Sequence, residues 1–295
     1  MTSPRIALVT GANQGLGRAL VAGLAARLGP DDLVLLTGRN PERVAEATAR
    51  ITADPATRSR VEGRVLDVTD AGAVTRLATE LDERFGGVDF VVSNASAMLT
   101  PDRSQSEQAD DFIDVANGGA HAVLRSFPPV LRPGGRLLVV ASSLGTLGNL
   151  TPGLRPLFDG ASLDEVEKAL ESWRTALHAG TAEELGWPRW INVPSKVAQV
   201  AAVRAVAAER RAVDLPADRL IAAGCPGLID TPLSRPWFTD FSGAQTPGQA
   251  AVAVLDLLLT EETDPATYGE LVRFGQVLGR YDGTPPRLPE GLLIP

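Results

Sequence analysis

Short runs of β-branched residues and leucine alternate with amphipathic stretches of helical length along most of the chain, the order of consecutive strand–helix–strand units. The runs fall at residues 6–10, 33–37, 61–66, 88–93, 137–141 and 220–223, with a last one at 270–274. Most are apolar without alternation, which predicts strands buried on both faces. Residues 15–27, 41–53, 71–85 and 193–209 carry the helical pattern between them. Right-handed crossovers then give an α/β fold with a doubly wound parallel sheet of about seven strands and helices on both faces.

Two segments break this rhythm. Residues 148–188 form an insertion opening with Gly, Pro and Leu, with a helix predicted after Ser162 because Ser162 and Glu165 have capping-box spacing. Following the fifth strand, this helical insertion is expected over the cleft at the carboxyl edge of the sheet, forming part of the substrate cleft; a surface excursion is the alternative. Residues 275–295, with Pro285, Pro286, Pro289 and Pro295, read as a tail without regular structure. A chain of 295 residues, 44% of them hydrophobic and 22% charged, suffices for one large core, so residues 1–295 are read as a single domain.

Directly after the first run comes Thr10-Gly11-Ala12-Asn13-Gln14-Gly15-Leu16-Gly17, followed at once by helical pattern. Glycines there permit positive φ and close backbone approach to a diphosphate, while the helix amino terminus offers free N–H donors and a favourable dipole. The strand before and the helix after make this a dinucleotide-binding loop of the Rossmann fold, with Gly11, Asn13, Gln14, Gly15, Leu16 and Gly17 as contacts. At the end of the second run, Gly38-Arg39-Asn40 stands where an NAD-preferring fold places an acid for the ribose hydroxyls. Arg39 offers a guanidinium fork to a 2′-phosphate instead, with Arg18 as a second contact, so NADP(H) is the expected cofactor.

Composition narrows the partners. The net charge is −8 and the 28 Lys and Arg residues are dispersed, which leaves no footprint for nucleic acid or an anionic membrane. No apolar run approaches the ~20 residues needed to span a bilayer, so the expected partner is a small-molecule substrate. The single cysteine, Cys225, with no leader pattern before the first strand, reads as cytoplasmic. His121 and His178 with that cysteine make no metal site, and none is expected.

With these residues in place, the chain resembles the short-chain dehydrogenase/reductase (SDR) family from end to end apart from the insertion and the tail. The GxxxGxG spacing of the phosphate loop is the family's. The resemblance implies that Asp67 and Val68 contact adenine, and that Asn94, Ala95 and Ser96, in Ser93-Asn94-Ala95-Ser96, support the sheet and line the ribose. It assigns Asn117 to the catalytic asparagine that holds a relay water and Ser143, after Ser142, to the catalytic serine. Pro226, Gly227, Ile229 and Thr231, in Pro226-Gly227-Leu228-Ile229-Asp230-Thr231, match the segment that grips the nicotinamide carboxamide. Ser143 and Lys196 lie 53 positions apart, a spacing lengthened by the insertion. The monomeric carbonyl reductases of the family carry an insertion at the same point, which implies a monomer here.

The family's YxxxK motif pairs a tyrosine acid with a lysine that lowers its pKa and binds the nicotinamide ribose. Lys196 keeps the lysine position, but Asn192 stands four positions earlier. An amide only hydrogen-bonds near neutral pH, whereas general acid catalysis contributes roughly 10² to 10⁴-fold. Asn192 reads either as the start of a helix whose first turn holds Pro194, or as a polar group beside Ser143 that orients a substrate oxygen or water. The only tyrosines are Tyr268 and Tyr281; the latter folds back over the cleft or packs at the surface. Trp187 and Trp190 flank the altered motif as pocket wall or core.

Three functions remain open. The first is an NADPH-dependent reductase with an atypical active site, acting on a specialised carbonyl, iminium or enone substrate, by analogy in secondary metabolism. The second is a non-redox cyclase, dehydratase or isomerase on the same scaffold. The third is a cofactor-binding regulatory protein without turnover.

Overall fold

The computed structural model describes residues 3–283. Strands β1 (Ile6–Val9), β2 (Leu33–Gly38), β3 (Arg60–Val65), β4 (Val88–Ser93), β5 (Leu131–Val140), β6 (Leu220–Cys225), β7 (Leu271–Arg273) and β8 (Gln276–Val277) form one sheet in the order β3-β2-β1-β4-β5-β6-β7-β8. All neighbours pair in parallel except β7 and β8. This is the Rossmann-like doubly wound arrangement, with eight strands rather than the seven the pattern predicts. The extra strand is a two-residue antiparallel return with both side chains exposed. Gln276–Val277 therefore gives the predicted tail a piece of regular structure; it was hidden because two exposed residues carry no hydrophobic periodicity. The tail's prolines lie outside the described residues.

The central strands are covered on both faces, as their unbroken apolar runs require: every residue of β1, β2 and β6 is buried. The covering helices are α1 (Gly15–Arg27), α2 (Pro41–Thr52), α3 (Ala71–Phe85), α4 (Gln105–Ile113), α5 (Gly119–Ser126), α6 (Leu163–Ala179), α7 (Asn192–Asp214) and α8 (Pro247–Leu258). Strand β5 starts six residues before the apolar run that announces it, through Arg132-Pro133-Gly134-Gly135-Arg136. Arg136 is only 1% exposed there. Its guanidinium donates to the Gly134 carbonyl at 2.7 Å and to the Asp218 carboxylate at 3.0 Å, which is what permits a charge inside the sheet.

Between α4 and α5 the backbone makes one π-turn, Asp114–Gly118, so the helix leading to β5 is locally widened around Asn117. The inserted helix α6 opens with the capping box read from the sequence: Ser162 Oγ accepts from Glu165 N at 3.3 Å, and Glu165 Oε2 accepts from Ser162 N at 2.7 Å. Its buried face, Val166, Ala169, Leu170, Trp173 and Ala176, packs against α4 and α7. Arg174 of α6 pairs with Asp110 and Asp114, and Arg125 of α5 pairs with Asp164 and Glu167.

Glu167 also faces the buried ring of His121 at 3.4 Å. The hydrogen bond from His121, with that from Arg125, outweighs partial burial and holds the Glu167 carboxyl down to about 2. Because this is below the unfolded value, Glu167 adds stability above about pH 4.5 and loses it as pH falls toward 2. Glu167→Gln is expected to melt below the wild type at pH 6 and level with it near pH 2 in thermal scans; an equal gap at both pH values contradicts this.

Candidate functional site

Because β1 to β7 run in parallel, the segments that follow them gather at one edge of the sheet. The loop after β1 is held from beneath. Thr10 Oγ1 accepts from the backbone N–H of Asn94 at 2.9 Å and of Ala95 at 3.1 Å. The Asn94 amide donates to the carbonyls of Thr10 at 3.0 Å and Gly11 at 3.2 Å, tying the loop after β4 to the glycine turn. Gly11 and Gly15 have φ of +60° and +55°, and a Cβ on Gly17 would lie 2.5 Å from Asn94 Nδ2.

Helix α1 begins here with Gln14 as cap, without a side-chain cap bond and without an acid in its first turn. Its first N–H groups are therefore free donors at a positive dipole end, the environment that suits a diphosphate. Asn13 stands beside Gly38 at the end of β2, Leu16 is buried beneath the turn, and Arg18 and Arg39 are exposed. Neither guanidinium has a partner among the described residues. Asp67 accepts from the backbone and hydroxyl of Thr69, fixing the turn after β3, and Val68 is buried against Gly119. Ser96 is exposed at the same edge. The chemistry of this donor set fits a nicotinamide dinucleotide.

Beyond β5, Ser142 Oγ accepts from Leu144 N at 3.2 Å and so caps the single 3-10 turn Ser143–Gly145. Ser142 is thereby engaged, whereas the exposed Ser143 hydroxyl has no partner among the described residues. The first turns of α7 lie against this turn: a Cβ on Gly145 would meet the Lys196 carbonyl oxygen at 2.8 Å. Lys196 Nζ donates to the Val140 carbonyl at 3.3 Å and to Gln199 Oε1 at 2.7 Å. Burial pulls its pKa down to about 8, partly offset by Cys225 at the end of β6. Ser143 and Lys196, far apart in sequence, thus both lie at the carboxyl end of β5.

Asn192 is the first residue of α7, half-buried, and its amide takes no hydrogen bond among the described residues. It starts the helix without capping it through its side chain. Asn117 is fully buried, and its amide donates to the Ser195 carbonyl at 2.9 Å while accepting from the Ser195 hydroxyl at 2.7 Å. Its side chain therefore fastens α7 to the π-turn and does not enter the cleft.

On the far side, Gly227 takes φ of +81° and Gln245 Nε2 donates to the Pro226 carbonyl at 2.8 Å. Ile229 bridges Gln245, and Thr231 is buried with its hydroxyl 3.2 Å from Ser234 Oγ. The segment beyond carries Trp237, Phe238 and Phe241. Trp190 packs on Trp237 and Phe238 with ring centroids 6.1 and 6.0 Å apart, so it forms an aromatic wall two residues before Asn192. Trp187 packs instead within the insertion, on Trp173 and Phe158. A cavity of about 620 Å³ opens between the insertion and the start of α7, lined among others by Leu150, Arg155, Trp187, Trp190 and Val193. Tyr281 donates to Asp159 of the insertion, and Thr146, just past Ser143, donates to the Asp282 carbonyl. The end of the described chain is therefore docked on the turn behind Ser143. Among the described residues no group of three or more His, Cys, Asp or Glu side chains is placed to hold a metal, and no helix is long and apolar enough to cross a membrane.

Residues 5–151 match the family model described as short chain dehydrogenase. Over 285 residues the chain is 30% identical to carbonyl reductase (NADPH) 3 of Mus musculus, covering 91% of this chain and 96% of the relative. The chain belongs to the short-chain dehydrogenase family. Carbonyl reductase (NADPH) 1 of Mus musculus is 28% identical over 260 residues, with 84% and 91% covered. Among solved structures, salutaridine reductase from Papaver somniferum shares the fold with a TM-score of 0.74 at 20% identity, covering 90% of this chain and 99% of that one. Menthone neomenthol reductase from Mentha piperita gives 0.73 at 22%, covering 93% and 100%.

Within this short-chain dehydrogenase, the structure adds roles that the motifs do not assign. Thr10 and Gln245 brace the loops on either side of the cleft. Gln199 reaches Lys196 from one turn further along α7, a spacing visible in the sequence as i, i+3.

Proposed function

We propose that the protein is an NADPH-dependent reductase of the short-chain dehydrogenase family, with Asn192 in place of the tyrosine acid, acting on a small carbonyl, iminium or enone substrate. The observation that carries this reading is the convergence at the carboxyl end of β5 of Ser143, whose hydroxyl has no partner among the described residues, and Lys196, whose ammonium is held at the Val140 carbonyl, on the same edge of the sheet as the uncapped amino terminus of α1. The loop from Gly11 to Gly17 would hold the diphosphate, Arg39 and Arg18 the 2′-phosphate, and Asp67 and Val68 the adenine. Asn94, Ala95 and Ser96 would line the ribose, and Pro226, Gly227, Ile229 and Thr231 the carboxamide. When bound, the cofactor supplies the hydride.

The remaining steps belong to the chain's own residues. Lys196 donates to the nicotinamide ribose. Ser143 donates to the substrate oxygen, and the Asn192 amide, free of other partners, supplies a second donor to that atom. Two such donors stabilise developing negative charge without delivering a proton, which comes from solvent. The insertion 148–188 and Trp190 form the substrate side of the cleft. The placement of α6 over α4 and α7 supports a monomer.

One observation favours a second reading, a non-redox reaction on the same scaffold: the group one turn before Lys196 cannot exchange a proton. Single-turnover conversion of the true substrate, followed at the nicotinamide absorbance band, separates the two. Stoichiometric loss of NADPH upholds the reductase, and product formed without loss overturns it. Arg39→Asp is expected to weaken NADPH binding by roughly 10 to 100-fold, the value of a charge-assisted pair, while leaving NADH binding equal or tighter. Calorimetric titration with both cofactors checks this; unchanged NADPH affinity removes Arg39 from the site.

A further inference from the structure

One polar side chain beneath the site has no part in the reading above. Gln199 is only 2% exposed, and both ends of its amide are occupied. Its Oε1 accepts from Lys196 Nζ at 2.7 Å, and its Nε2 donates to the Ala116 carbonyl at 2.6 Å. That carbonyl lies in the π-turn Asp114–Gly118, where a widened helix frees backbone oxygens from the regular ladder. The ammonium is thus suspended between the end of β5, through Val140, and the π-turn, through a protein amide.

We propose that Gln199 is a positioning residue for Lys196: it holds the ammonium at the end of β5 by tying it to the Ala116 carbonyl of the π-turn. The proposal rests on the reading of Lys196 as the ribose contact. An amide has no proton to release near neutral pH, so the connection from Lys196 through Gln199 to Ala116 transmits position and not protons. It also stabilises the charged form of a lysine that burial disfavours. Of the elements packed on this part of α7, β6 brings Cys225, the titratable group that acts on Lys196. The π-turn brings Asp114, whose carboxylate pairs with Arg174 at 2.5 Å, with Ala116 and Asn117, and β5 brings Val140.

The sequence contains two lysines, Lys168 and Lys196, so the full-length protein labelled at lysine 13Cε shows one titration for each, and Lys168→Arg assigns them. Gln199→Met removes the acceptor with little change of shape and is expected to lower the Lys196 titration by about one unit. Gln199→Glu supplies a charged acceptor and is expected to raise it by about as much, with Lys168 unmoved in both. NADPH affinity by calorimetry at pH 7 is expected to fall roughly tenfold in Gln199→Met, the loss of one hydrogen bond to a charged group. Should Gln199→Met fail to fold, the opposite shift in Gln199→Glu carries the test. A Lys196 titration unmoved in either folded variant overturns the proposal. Shifts in the expected directions, with no NADPH binding even by the wild type, uphold the grip of Gln199 on Lys196 and remove the ribose reading instead.

Discussion

Asn192→Tyr is expected to raise NADPH-dependent reduction of simple ketones and aldehydes by about 10²-fold or more, the usual contribution of a positioned general acid. The site is otherwise prepared for a phenol. Asn192 opens α7 with an amide that bonds to nothing among the described residues, so replacing it breaks no interaction. Lys196 lies one helical turn on, and its ammonium would draw down the pKa of a neighbouring phenol as an adjacent positive charge does. Ser143 stands free at the same strand end. Asn192→Phe is the control, since it adds the ring without the hydroxyl. Loss of NADPH absorbance with a panel of ketones reads the result. Equal rates for the two variants would mean that the pocket has been rebuilt around another chemistry, with the tyrosine position no longer aimed at a carbonyl.

Gly17→Val is expected to abolish measurable NADPH binding and to destabilise the fold by roughly 3 kcal/mol or more, from overpacking and broken hydrogen bonds. A Cβ at Gly17 would stand 2.5 Å from Asn94 Nδ2, 2.6 Å from the Gly11 carbonyl oxygen and 2.8 Å from Ala12 Cα. Two of these are backbone atoms of the turn itself, and the third is the amide that ties the turn to β4. Relief by moving a flexible side chain end is therefore not available. Gly15 gives the comparison: nothing lies within 4 Å of its Cβ position, so Gly15→Ala meets only the penalty of φ at +55°, about 1 kcal/mol. Thermal melts and NADPH titrations of both variants check the order. If Gly15→Ala proves the more damaging, the loop is not braced through Asn94.

The elements legible in the sequence were those whose burial writes itself as a run. Strands β1, β2 and β4 announce themselves because both faces are covered, and α6 because Ser162 and Glu165 close a capping box on themselves. The beginning of β5 was not legible, since Arg136 is satisfied by Asp218, distant in sequence, and nothing local shows that the charge has a partner. The last strand was too short and too exposed to leave a pattern. At the site, the motif-bearing loops follow parallel strands and so gather at one edge of the sheet, but a motif records which residue type stands where and not what its side chain touches. Asn117 illustrates this: the position fits the family, while its amide is engaged with Ser195. Gln199 is the converse, a residue outside every motif that meets the one lysine of the site.

The π-turn at Asp114–Gly118 gives the two halves of that long helix different rotational phases. One residue advances a regular helix by about 100°. Removing a single residue from the turn would thus wheel the downstream half by more than a quarter of a circle, carrying Gly119 off Val68 while Gln108 stayed in place. Point substitutions can tune either half alone, but a change of length there would have to be answered across the whole length of α7.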